Sequence, residues 1–395
     1  MLENIIKMDQ QYYMNTFGLR TPVCFDKGEG VWLYDTDGNK YLDFFAGIAV
    51  TALGHAHPAL VRAMSDQAAK LLHTSNLYYT EPQAKLAKIL CEVSCADKVF
   101  FSNSGAEANE GALKLARIYF YKKGQTHKTE IITLKNSFHG RTLATVAATG
   151  QPKYQKPYSP LMPGFSHVEL GNLAALKAAI TPNTAAIMLE AIQGESGVHP
   201  CEQEYITAVR QLCDTNDILL IIDEVQTGIG RTGKMFGYQH YGIEPDIFTV
   251  AKALGGGVPI GAICAKDAVC AFEPGDHGST FGGNPLATAA GLAVMQTIAN
   301  ENLVQNAADM GKYFFTSLES LKSKYSCIKE IRAVGLMLGV EFCDGLGAAV
   351  KQKLFDAHVL TGLVGDTLRI LPPLIITTAD VDMFMDVLEN VVKAL

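Results

Sequence analysis

Between Ile218 and Gly257 the chain reads ILLIIDEVQTGIGRTGKMFGYQHYGIEPDIFTVAKALGGG, in which two short apolar runs each deliver one charged residue at their end. Runs of this length, rich in Ile, Leu and Val, are strands buried on both faces of a parallel sheet. Asp223 stands where the run Ile218–Ile222 must leave the core, and Lys252 follows the run Asp246–Val250. Their separation is about that of one strand–connection–strand unit, on the order of 30 residues. Both can therefore reach the same edge of one sheet, the edge where open α/β sheets bind ligands.

A carboxylate and an ammonium half removed from water each need a partner. A cofactor that takes an aldehyde-reactive amine on one side and an anion beside a pyridinium nitrogen on the other is pyridoxal phosphate. Two plainer readings stand beside this one. An Asp after a strand is commonly a helix cap, and a single Lys is commonly a solvated surface charge.

With 395 residues, 48% of them hydrophobic and 18% charged, the chain is long enough for two domains and a large core. A net charge of −7 carries no basic footprint, which argues against nucleic acid and anionic membranes as partners. The N-terminal MLENIIKMDQQYY lacks the apolar stretch of a secretory leader, and no later run approaches a membrane span, so a cytoplasmic location is expected. Nine cysteines, scattered and without CxxC spacing, read as reduced, buried small hydrophobes, and no metal site is expected. His55 and His57, in GHAHP, read as turn residues that hydrogen-bond locally rather than as metal ligands.

Val31–Tyr34 and Lys40–Phe44 flank the turn DTDGN and predict a β-hairpin. Strand candidates then alternate with helical patterns: Lys98–Phe101, Glu130–Leu134, Ala185–Leu189, Ile218–Ile222, Asp246–Val250 and Ile260–Cys264. That alternation predicts an α/β fold with a mostly parallel central sheet. Beyond it come helices from Pro285 to Ala299 and from Leu303 to Leu321, strands at Gly335–Phe342 and Leu368–Ile370, and a closing amphipathic helix with Val381, Phe384, Leu388 and Val391. The organisation expected is an N-terminal segment, 1–45, that joins a small α+β domain at 286–395, with a large domain at 46–285.

Two further stretches carry chemistry. Lys98–Phe101 runs into SNSGAEANEGALKLAR, where a helix starting near Ala106 offers free backbone N–H groups, and Ser104 and Gly105 allow close approach of a phosphate. Ordinary N-capping explains the same residues. Glu130–Leu134 leads into NSFHGRT, which presents Phe138, His139 and Arg141 on a glycine-bearing loop. An aromatic that stacks on a planar ring and a guanidinium that forks a carboxylate are both at home there, as are a core Phe and a surface Arg.

In order along the chain, SNSGAEANE, NSFHGRTLATVAATGQPKYQ, LEAIQGESGVHP, IDEVQTGIGRTG, AKALGGGVPIGA and GSTFGGNPLA resemble the successive motifs of the class III aminotransferases of the fold-type I pyridoxal-phosphate superfamily. The resemblance implies that fold, a pyridoxal 5'-phosphate cofactor and a homodimer with shared active sites. It implies that Lys252 carries the cofactor and moves the substrate proton, and that Asp223 keeps the pyridine nitrogen protonated. Gln226 would bond the cofactor's phenolic oxygen, Phe138 would stack on its ring, and Glu224 and Val225 would complete that wall. Ser104, Gly105 and Ala106 would cradle the phosphate, completed by Thr280 of the partner subunit, with Ser279 beside it near the substrate.

The same resemblance assigns Arg141 to the α-carboxylate of the amino donor and Arg369, in LRILPPL, to the α-carboxylate of 2-oxoglutarate. Glu195, in QGESG, would pair with Arg369 while the donor is bound and swing away for the dicarboxylate. Ile48 stands where relatives that recognise a free α-amino group carry Tyr. Its lack of a hydroxyl favours an acylated diamino acid such as N2-acetylornithine, a donor of arginine biosynthesis, with succinyldiaminopimelate as a second candidate. Apolar residues occur there in 4-aminobutyrate enzymes too, and Thr51 stands where Asn is common, so ornithine, succinylornithine and 4-aminobutyrate stay open as donors. A non-catalytic or nicotinamide-binding α/β protein is the remote alternative, since no GxGxxG directly follows a strand, the one at Gly228–Gly233 being separated from Ile218–Ile222 by five residues.

Overall fold

The computed structural model describes all 395 residues. Its central sheet has the strand order Lys98–Ser102, Gly261–Ala265, Ile247–Val250, Leu219–Asp223, Thr184–Leu189, Glu130–Leu134 and Phe165–Val168. Gly261–Ala265 is antiparallel to both of its neighbours, and the remaining pairings are parallel. Strand side chains alternate between two cores. Leu220, Ile222, Phe248 and Val250 enter the larger cluster, whereas Leu219, Ile221 and Ile247 enter a smaller one on the opposite face. The uninterrupted apolar runs are thus the signature of a sheet covered on both sides. Phe165–Val168, which the sequence pattern does not reveal, is an edge strand with only Val168 buried, so half of it can be polar.

The helix Gly105–Lys122 covers the smaller core with Ala108, Ala112 and Ala116. It lies close to the sheet because Gly111 has no side chain: a Cβ there would come within 2.2 Å of Ile263 Cδ1. Asp223 is the last residue of its strand and pairs in register with Thr249. Lys252 follows two residues after Val250, so the neighbouring parallel strands deliver both groups to one edge.

A second, antiparallel sheet runs Ile328–Val334, Met337–Phe342, Thr367–Ile370 and Gly362–Val364. The strand Ile328–Val334 and the helix Leu346–Asp356 are additions to the sequence reading. The predicted hairpin forms from Trp32–Asp35 and Lys40–Asp43, and Val359–Leu360 adds to it in parallel. Phe44 stacks on Phe384 at 4.8 Å, and Phe314 meets Phe384 edge-on at 5.2 Å, which ties the N-terminal segment to the C-terminal helices. The helix Pro285–Asn300 packs on the helices Pro58–Lys70 and Glu81–Glu92 and on the turn that begins with Lys252. His55 Nε2 lies 2.8 Å from Asp43 Oδ2, and the His57 ring lies 3.4 Å from Glu301. No helix is long and apolar enough to cross a membrane.

Candidate active site

Asp223 is buried, yet all of its contacts are donors. Asn109 Nδ2 and His139 Nδ1 both lie 2.8 Å from Oδ2, and the Val225 N–H donates to Oδ1 at 3.0 Å. Asn109 is held in turn by Thr249 Oγ1 at 2.7 Å and donates to the His139 carbonyl at 2.7 Å. Burial alone would lower the His139 pKa, but the hydrogen bond and charge of Asp223 outweigh it and raise it. The result is a carboxylate oriented by three donors at the sheet edge, available to an opposing cationic ring nitrogen. Asn109 and His139 were given no role by sequence. A polar residue on the otherwise apolar buried face of Gly105–Lys122 is the signal that would have found Asn109.

Across the same pocket, the helix starting at Gly105 points its free N–H groups inward. Ser104 Oγ caps it by accepting the Glu107 N–H at 3.1 Å, so capping and cradle are the same device. A Cβ on Gly105 would sit 2.8 Å from Val225 Cγ1, so glycine is what lets the helix end approach the strand end. The pocket holds about 380 Å³ and is lined by Ser104, Gly105, Ala106, Phe138, Arg141, Glu195, Asp223, Val225, Gln226 and Lys252, with Val50, Asn103, Asn109, His139 and Glu190 among the rest. The Glu224 side chain turns away from this cavity and accepts the Gly237 and Tyr238 N–H groups at 2.8 Å each. Successive residues of an extended chain face opposite ways, so Asp223 and Val225 meet the pocket and Glu224 cannot.

Lys252 reaches this pocket from a backbone with φ of +43°, a strained position for a side-chain-bearing residue. Burial lowers its amine pKa to about 8, Glu195 opposing and Arg369 assisting that shift. A much larger share of neutral, nucleophilic amine is then present near neutral pH than a surface lysine offers.

The two arginines differ in state. Arg369 is buried and forks Glu195, with Nη1–Oε2 at 3.0 Å and Nη2–Oε1 at 2.9 Å. Gln226 closes the triangle, accepting from Arg369 Nη2 at 3.0 Å and donating to Glu195 Oε1 at 3.1 Å. Burial pushes the Glu195 carboxyl up, but Arg369, Lys252 and Gln226 more than compensate, and it stays below its ordinary range. Arg141 has no carboxylate partner; its guanidinium lies 4.1 Å from the centre of the Tyr154 ring and 5.6 Å from that of Phe138. Glu190, unforeseen, accepts the Phe138 N–H at 3.1 Å beside Asp223, and burial raises its pKa to about 7. It follows the apolar strand Thr184–Leu189 as Asp223 ends its own strand, so the rule that found Asp223 would have found Glu190.

A buried carboxylate, an amine of lowered pKa and a helix N-terminus around one cavity fit pyridoxal phosphate. Over residues 13–392 the chain matches the family model described as aminotransferase class-III. The protein is a class-III aminotransferase. It is therefore a pyridoxal-phosphate-dependent transaminase, working between an amino donor and a keto acid. It is 50% identical to an acetylornithine aminotransferase of Caldanaerobacter subterraneus, over 98% of this chain and 99% of that one. To the acetylornithine aminotransferase of Methanocaldococcus jannaschii it is 51% identical, over 98% of each. Among solved structures, ornithine aminotransferase from Toxoplasma gondii superimposes with a TM-score of 0.95 at 33% identity, covering 100% of this chain and 95% of that one. Acetylornithine aminotransferase from Elizabethkingia anophelis does so at 0.89 and 32%, covering 100% and 99%.

Besides Glu224, and Arg369, which reaches the cavity through Glu195 and Gln226, three residues expected at the site of this class-III aminotransferase, Ser279, Thr280 and Ile48, lie outside the cavity lining. Ser279 Oγ accepts from Asn103 Nδ2, a pocket residue, at 3.2 Å, while Thr280 is exposed. Ile48 is 41% exposed, and Val50 is the residue of that segment that lines the cavity. The cause is a left-handed turn: Ala46, Gly47, Ile48 and Ala49 have φ of 50, 61, 69 and 60°. Asp43 Oδ1 holds that turn by accepting the Phe45 and Ala46 N–H groups at 3.0 and 2.9 Å.

Proposed function

We propose that this enzyme transfers the terminal amino group of N2-acetylornithine to 2-oxoglutarate, in arginine biosynthesis, giving N-acetylglutamate 5-semialdehyde and glutamate. The observation that carries the reading is the contrast between Arg141, which lines the cavity with no carboxylate partner, and Arg369, which lies behind Glu195 and is masked by it. An amino donor with one carboxylate meets Arg141 while Glu195 neutralises Arg369. A dicarboxylate needs both guanidiniums, so Glu195 swings out when 2-oxoglutarate enters.

Pyridoxal phosphate, when bound, supplies the aldehyde that exchanges amino groups and the ring that withdraws electron density from the reacting carbon. Lys252 holds it and, once released, takes and returns the substrate proton at Nζ. Asp223, oriented by Asn109 and His139, keeps the ring nitrogen protonated. Phe138 stacks on the ring, and Ser104, Gly105 and Ala106 hold the phosphate. Thr280 completes the phosphate site from the partner subunit of a homodimer, with Ser279 near the substrate. Supporting this, Thr280 adjoins an exposed apolar band containing Leu77, Tyr78, Tyr79 and Phe281, a surface suited to a second copy. Incubating the loaded enzyme with N2-acetylornithine and 2-oxoglutarate should form glutamate and a semialdehyde trapped as its hydrazone. Absence of both products with fully loaded enzyme would refute the reading.

A further inference from the structure

Arg231 is the largest fully buried side chain of the molecule, 1% exposed, and it lies outside the cavity. No carboxylate meets it, and its Nε and Nη2 have no partner. Burial pulls its pKa down to about 9, which leaves it charged at neutral pH. A buried, uncompensated cation is unfavourable, and a well-packed apolar residue in its place is often neutral or stabilising. Stability does not account for a charged side chain at this place.

The contacts of Nη1 do account for it. It donates to the Leu336 carbonyl at 3.1 Å and to the Pro372 carbonyl, and the Leu336 N–H donates back to the Arg231 carbonyl at 3.0 Å. Leu336 joins the first two strands of the smaller sheet, and Pro372 lies three residues beyond Arg369. In Leu371-Pro372-Pro373-Leu374 the two prolines have no N–H, so that turn can be gripped there only through its carbonyls. On either side, Leu371 donates to the Phe44 carbonyl at 2.8 Å and Leu374 to the Ala52 carbonyl at 2.7 Å. The loop that carries Arg231 also carries Gln226, which touches the Arg369 guanidinium itself. One loop thus holds Arg369 twice, at its side chain and at the backbone that follows it.

We propose that Arg231 is a positioning residue for the carboxylate-binding Arg369, latching the turn after it to the loop that leaves the Asp223 strand. This rests on the assignment of Arg369 to the dicarboxylate, and the test separates the two. In a two-step exchange, kcat/KM for each substrate reports its own half-reaction. The loaded enzyme and its Arg231→Met, Arg231→Lys and Arg369→Ala variants are compared by kcat/KM for 2-oxoglutarate, kcat/KM for N2-acetylornithine and Tm. Arg231→Met should keep or raise Tm and lose about 10-fold or more in kcat/KM for 2-oxoglutarate, since small misplacements of a binding group are amplified in rate. The donor value should change by no more than about twofold, because the donor carboxylate meets Arg141 on a separate loop. Arg231→Lys, a single-point donor, should fall between. Equal losses for both substrates, or no loss for either, would overturn the proposal, and Arg231→Lys decides by the same comparison if Arg231→Met does not fold. If Arg369→Ala leaves 2-oxoglutarate unaffected, the assignment of Arg369 fails whatever Arg231 does.

Discussion

At the scale of single residues the site is a set of carboxylates sorted by their donors. Asp223 has three, Glu195 has a bidentate guanidinium, and Glu190, buried between His139 and Asp223, has backbone donors alone. Glu195→Ala leaves Arg369 bare, so glutamate should gain as a donor relative to N2-acetylornithine. A charge-assisted contact of roughly 1.5 to 3 kcal/mol corresponds to a shift of about 10-fold or more. Single-turnover spectra with each donor, before any oxo acid is added, measure it, and a ratio within about twofold of wild type would remove Glu195 as the switch. Glu190 supports a pH prediction. Its folded pKa of about 7 lies above the ordinary 4.5, so the folded state holds the extra proton between those values. Its contribution is complete below about 4.5 and is lost as pH rises through about 7. Glu190→Gln should therefore gain in Tm relative to wild type between pH 5 and pH 8, whereas parallel Tm curves would contradict the raised value.

At the scale of elements, function depends on how near a helix end can come to a strand end. Gly105 against Val225 and Gly111 against Ile263 fix that distance. Gly111→Val forces Gly105–Lys122 off the sheet and should cost about 1 to 3 kcal/mol by overpacking, with weaker cofactor retention as the phosphate cradle moves. Thermal denaturation with and without added cofactor reads both, and unchanged values would mean that the sheet yields instead. Elements with a strong period were legible before any coordinates. The strands of the central sheet announced themselves because both faces are covered, and Asp223 and Lys252 because each interrupts such a run. Phe165–Val168 was not legible, being a half-polar edge strand. Nor was the turn at Ala46–Ala49, because nothing in AGIA signals a left-handed backbone; its start is held locally by Asp43 Oδ1, which accepts the Phe45 and Ala46 N–H groups. The opposite facing of Glu224 follows from strand alternation, a rule available from sequence but hidden when DEVQ is taken as one block.

At the scale of the molecule, the cavity gathers the residues proposed for ring, phosphate and donor carboxylate, while Ser279, Thr280, Ile48, Glu224 and Arg369 stay outside its lining. Ser279 and Thr280 are residues that sequence could assign only through the family resemblance, since nothing in GSTFGG itself points to a phosphate or substrate. Tyr79 stands fully exposed in the apolar band, so on the proposed homodimer Tyr79→Glu should yield monomer and lower activity in parallel, read by light scattering over a concentration series. A monomeric wild type with full activity would contradict the shared site. The central claim is that this pocket selects an acylated diamino acid as donor and passes its amino group to 2-oxoglutarate. The most direct measurement is kcat/KM for N2-acetylornithine, ornithine and 4-aminobutyrate, each with 2-oxoglutarate. N2-acetylornithine should lead by about 10-fold or more, the discrimination one pocket contact can give. An equal or higher value for free ornithine or 4-aminobutyrate would contradict the account.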